Sequence, residues 1–93
     1  MRAITLESQV VQASHQVSTP LGEETVVLDL QAEEYLRLNP VASRIWQLIR
    51  QPRRVSEVIH LLEQEFDVER PRLERDVLHF LQQLLEQGLI RLL

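Results

Sequence analysis

At 93 residues the chain is long enough for one domain and too short for two independent cores. Its 44% hydrophobic and 26% charged content excludes a disordered chain, and no apolar run approaches membrane-spanning length. There is no cysteine, which removes disulfides, thiolate nucleophiles and sulfur-ligated metals, and a net charge of -4 opposes general binding to nucleic acid.

Met1 to Glu7 lacks the apolar core of a signal peptide, so a soluble, cytoplasmic protein with no membrane partner is expected. From Val10 to Val17 β-branched and polar residues mix as in a strand, and Thr19-Pro20-Leu21-Gly22 reads as a turn. Thr25 to Leu30 alternates, with Val26, Leu28 and Leu30 on one face and Val27 and Asp29 on the other. A polar connection, Gln31 to Glu33, leads to a third strand at Tyr35-Leu36-Arg37-Leu38. A three-stranded antiparallel meander of this size needs a cover on one face.

From Asn39 the period becomes helical. Asn39 can cap a free N–H and Pro40 suits the first helical position, ahead of the stripe Val41, Ile45, Leu48 and Ile49. Pro52 ends this helix near Arg50. Arg53-Arg54 joins it to a second helix, capped by Ser56, that carries Val58, Ile59, Leu62 and Phe66. A third helix runs from about Pro71 to Gln87, with Gly88 as a left-handed terminator, and Leu89 to Leu93 form a short final strand or wing. The expected fold is one α+β domain over residues 1–93, winged helix-turn-helix-like: a small antiparallel three-stranded sheet, then three α-helices.

The materials for catalysis are missing. His15, His60 and His79 show no metal-ligand spacing, the serines sit in no nucleophile elbow, and two glycines build no phosphate loop. Glu23-Glu24 and Glu33-Glu34 fall beside turns, where carboxylates are solvated. No enzyme, metal or cofactor is therefore expected. The third helix is more informative. Leu73, Val77, Phe80 and Leu84 form one apolar group and Leu78, Leu81 and Leu85 a second, and together they make an arc wider than one core-facing stripe needs. Either a small domain buries this helix deeply, or one flank lines an open groove beside an unpaired strand edge.

Val26-Val27-Leu28-Asp29-Leu30 and the string Tyr35 to Trp46, of pattern Tyr-x-x-Leu-Asn-Pro-Val-x-x-x-Ile-Trp, carry a family resemblance. With Val55-Ser56-Glu57-Val58, Phe66-Asp67-Val68, Asp76-Val77-Leu78 and Gly88-Leu89, the chain resembles the PqqD family of peptide chaperones over about residues 9–93. These are the recognition elements of ribosomally made, post-translationally modified peptides. Residues 1–8 lie outside the resemblance and are read as a loosely ordered extension.

The resemblance implies a winged-helix-like fold that binds no DNA. The leader segment of a precursor peptide is expected to add as a strand to the third strand, in a groove walled by the third helix. That places the peptide on Glu34, Tyr35, Leu36, Arg37 and Leu38, and against Leu73, Asp76, Val77, Phe80, Gln83 and Leu84. Asp76 is assigned to a polar or cationic leader group and Phe80 to an apolar anchor, whereas Val77, Leu81 and Leu84 also suit the core. The opposite flank, Leu78 and Leu85 beside Gln82 and Arg75, is an equal alternative. The expected partners are the precursor peptide and a leader peptidase, as in lasso peptide pathways, or another modifying enzyme such as a radical enzyme. The competing readings are a winged-helix DNA-binding or transcription-regulating domain and a plain adaptor. The third-helix region, with Arg70, Arg72 and Arg75 against Glu69, Glu74, Asp76 and Glu86, suits phosphate contact poorly.

Overall fold

A computed structural model describes residues 3–93. Its elements are β1 (Gln9–Gln12), β2 (Gln16–Leu21), β3 (Glu24–Asp29), β4 (Glu34–Leu38), α1 (Pro40–Leu48), β5 (Arg53–Arg54), α2 (Val55–Glu65), α3 (Arg70–Glu86) and β6 (Ile90–Leu92). The α+β class is the expected one: β2-β3-β4 is the three-stranded antiparallel sheet, and three helices follow it. A second small sheet, in the order β5-β1-β6, was not expected. The run Val10 to Val17 accordingly divides. Its first part, β1, pairs with β5 and β6, and its end belongs to β2. Arg53-Arg54 is thus a strand opposite Gln9 and Val10 as well as a connector.

Two other local expectations change for tertiary reasons. Pro20 lies inside β2, opposite Thr25, and the turn sits at Gly22, whose φ of 63° suits glycine. Ser56 caps nothing. The first N–H groups of α2, on Val55 and Ser56, donate instead to the carbonyls of Ser8 and Leu6, both at 2.9 Å. Residues 3–8 are therefore tied down, with Ile4 buried in the core and Leu6 packed against it. At α1 the sequence signal holds: the Asn39 side chain accepts from the Ala42 N–H at 2.8 Å, and Pro40 follows. α3 closes as a Schellman motif. Gly88, φ 77°, donates to Leu85 and Leu89 donates to Leu84.

The core gathers Val10 and Ile90 from the second sheet, Val27 and Leu38 from the first, and the inward stripes of all three helices. Trp46 links the sheets. Its indole N–H donates to Ser18 Oγ of β2 at 2.7 Å, and its carbonyl accepts from Gln12 Nε2 of β1 at 2.7 Å. Gln16 completes the circuit, bonded to both Gln12 and Ser18. These polar groups satisfy one another beside a cleft of about 440 Å³.

Candidate functional site

Among the described residues β4 pairs with β3 and with no other strand, so one of its edges is open. Which backbone groups occupy that edge follows from one hydrogen bond. The Leu30 N–H donates to the His15 carbonyl at 2.9 Å, in register with the β2–β3 ladder. Backbone groups alternate sides along a strand, so Leu28 and Val26 also bond to β2, and Asp29, Val27 and Thr25 turn toward β4. Their partners there are Glu34, Leu36 and Leu38. The N–H and C=O of Tyr35 and Arg37 therefore point outward, unpaired. On β2 the same alternation sends Gln16, Ser18 and Pro20 outward, so the N–H that Pro20 lacks is missing at an edge rather than inside the sheet.

The β3–β4 turn fixes this register. Asp29 Oδ1 accepts the N–H groups of Gln31 and Ala32 at 3.0 and 3.1 Å, and Glu33 takes a left-handed φ of 57°.

Side chains alternate in the other sense. Leu36 is half-buried and Leu38 buried, whereas Tyr35 and Arg37 stand on the outer face, Tyr35 at 75% exposure. Arg37 is tied there to Glu24 at 2.6 Å. On the inner side a groove of about 470 Å³ opens between α1 and α3. Its apolar walls include Val41 and Ile45 from α1 and Leu73, Val77 and Phe80 from α3, with Asn39 at the end of β4. Arg72, Asp76 and His79 form its exposed polar lining. A smaller pocket of about 220 Å³ lies at the other end of β4, bounded by Asp29, Glu34, Leu36, Gln87 and Leu89 and by Tyr35.

Of the positions assigned from sequence, Glu34, Tyr35 and Leu36 line the small pocket and Leu73, Asp76, Val77 and Phe80 the large groove. Leu38 and Leu84 are buried core residues and line neither. Gln83 and Arg37 are exposed and line neither. Val41, Ile45 and Val68 were missed because their helical stripe or loop position reads as core packing. On the alternative flank of α3 the Ile4 N–H donates to Gln82 Oε1 at 3.2 Å. Leu78 and Leu85 are half-buried there, packed against the core. The large groove lies on the flank carrying Leu73 and Phe80.

The cations of α3 are partly spent within the domain. Arg70 pairs with Glu63 and Glu74, and Arg72 lies 3.8 Å from Asp76. Duplex DNA should consequently bind only weakly and in a salt-sensitive way. Fluorescence anisotropy at physiological salt tests this, and sub-micromolar, sequence-selective binding would contradict it. Among the described residues no group of histidine and acidic side chains is placed to hold a metal ion, and no helix is long and apolar enough to cross a membrane.

The family model described as coenzyme PQQ synthesis protein D, PqqD, matches residues 24–90. Among solved structures the chain is similar to TbiB1 in complex with the TbiA(beta) leader peptide. The TM-score is 0.81 and the identity 34%, covering 87% of this chain and 94% of that one. It is also similar to a lasso peptide synthetase B1 complexed with the leader peptide, at a TM-score of 0.77 and 27% identity, over 88% of this chain and 96% of that one. No curated protein matches.

Proposed function

The chain belongs to the PqqD family, and from that premise we propose that it is a non-catalytic, cytoplasmic binder of the leader segment of a ribosomally made precursor peptide. The leader adds as a strand along β4 and lays alternate side chains into the groove between α1 and α3. The bound precursor is thereby presented to a processing enzyme, a leader peptidase of a lasso peptide pathway. The observation that carries the reading is the coincidence of an open edge, at Tyr35 and Arg37, with an apolar groove that reaches Asn39, the residue that follows β4. Both similar structures hold a leader peptide, which supports it.

Strand addition supplies main-chain hydrogen bonds, and pockets for alternate side chains supply selectivity. Ordering an unfolded leader costs about 2–5 kcal/mol of the gross interaction, so a few buried anchors must carry most of the net affinity. A dissociation constant between sub-micromolar and low micromolar is expected, roughly -8 to -9 kcal/mol. The test is calorimetry with leader peptides of lasso peptide precursors, the TbiA(beta) leader held by the similar TbiB1 among them. Phe80 is half-buried in the groove wall, and Phe80→Ala should weaken binding by about tenfold or more. An unchanged affinity in the folded variant would remove the groove from the proposal.

A further inference from the structure

The cleft beside Trp46 lies apart from β4. Its walls come from β1, the inner face of β2 and β3, and the end of α1, and it shares no lining residue with the large groove or the small pocket. Part of the lining is closed on itself. Trp46 donates to Ser18, Ser18 to Gln16 and Gln16 to Gln12, so the side-chain oxygens of the last three are engaged. Three other lining groups are not. Thr25 is only 5% exposed, and its hydroxyl bonds to nothing among the described residues. No sealed side-chain polar atom among them lacks a partner, so this hydroxyl opens into the cleft that Thr25 lines. Gln47 Oε1 accepts from Arg44 at 3.3 Å, which leaves the Gln47 Nε2 donors free. Arg50 enters no ion pair among the described residues, and no acidic side chain lines the cleft.

Buried polar groups normally have partners, so the Thr25 hydroxyl marks a place for one. The unengaged groups are two sets of N–H donors and a hydroxyl that can donate, and Arg50 carries the only formal charge. A carboxylate meets all three, because it is acceptor-only and a guanidinium can grip both its oxygens. We propose that the cleft binds a carboxylate ligand, with Arg50 as its counter-ion and Thr25 donating to it from below. The volume of about 440 Å³ falls in the range of small-ligand sites, about 300–1,000 Å³. A carboxylate alone would leave most of it empty, so the group arrives on a larger body, a small organic acid or a peptide. Occupancy of this cleft is independent of strand addition at β4.

The probes are glutarate, acetyl-Gly-Gly-Gly with a free terminal carboxylate, and acetyl-Gly-Gly-Glu-amide, each against its uncharged amide counterpart. Titration at physiological salt is followed by NMR shifts of the backbone amides and of the indole N–H of Trp46, the only tryptophan. At least one acid should saturate with a dissociation constant of about 1 mM or tighter, about tenfold below that of its amide. The acid that binds best distinguishes a free small molecule, a peptide terminus and an acidic side chain. Arg50→Gln should abolish the preference for acids. Thr25→Val keeps the branched shape and should leave the domain folded, yet weaken binding about fivefold, the worth of one hydrogen bond. Affinity for a leader peptide should be unchanged in both variants, so the two readings stand or fall separately. Equal binding of acids and amides, no saturation by about 10 mM, or a preference untouched by either substitution overturns the site.

Discussion

Replacing Tyr35 by proline is expected to leave the domain folded and to reduce leader affinity about a hundredfold, whereas proline at Leu36 should unfold it. The asymmetry comes from backbone direction. The Leu36 N–H faces Val27 in the β3–β4 ladder, so proline there breaks an internal bond and drives its ring into the neighbouring strand. The Tyr35 N–H faces the open edge, where proline removes a donor the sheet does not use. An incoming strand loses that donor and meets the ring, and a hundredfold corresponds to roughly two net hydrogen bonds. Tyr35→Ala and Leu36→Ala separate side-chain from backbone effects. Circular dichroism reports folding and calorimetry reports binding. A folded Tyr35→Pro protein that binds the leader as well as the parent would rule out addition at this edge.

Trp46→Ala should cost about 3–5 kcal/mol, the range for deleting a buried aromatic side chain. Trp46 is only 2% exposed and its indole N–H donates to Ser18 of β2, whereas the Gln12 bond is to its backbone carbonyl and survives the substitution. Against a total stability of about 5–15 kcal/mol, such a loss removes a large share of the folding free energy. At about 4–8 °C per kcal/mol for a domain of this size, Tm should fall by roughly 15–30 °C. Trp46→Phe keeps most of the ring volume and loses only the N–H donor to Ser18, so its cost should be about 1–2 kcal/mol. Thermal melts followed by circular dichroism distinguish the two. Equal losses would mean that the indole N–H, rather than the packed ring, holds the sheets together.

The fold was legible wherever a local signal had a local cause. Asn39-Pro40 started α1 and Gly88 ended α3 because cap chemistry is written in neighbouring residues. The signals failed where a distant segment supplied the partner. Ser56 looked like a cap, yet Leu6 and Ser8 provide the acceptors, some fifty residues earlier in the chain. Pro20 looked like a turn because proline usually interrupts a ladder, and only the sheet order reveals that it stands at an edge. The site followed the same rule. The apolar arc of α3 showed that a flank was in excess, but the groove beside Leu73 and Phe80 and the Ile4 bond to Gln82 both depend on segments distant in the chain. The contribution of α1 was hidden because Val41 and Ile45 have the same spacing whether they face a core or a groove.

The placement of Pro20 also bears on association between molecules. A β-sheet extends by accepting strands at its two margins, and a unit with two receptive margins can grow without limit, as in fibrils. Proline at the outer margin of β2 leaves the β2-β3-β4 sheet with one fully receptive margin, that of β4. In the vocabulary of polymer growth the two margins have unequal reactivity: β2 keeps the outward N–H groups of Gln16 and Ser18 and lacks one at Pro20, so chain growth through both margins is slowed at β2 and a strand is received more readily at β4.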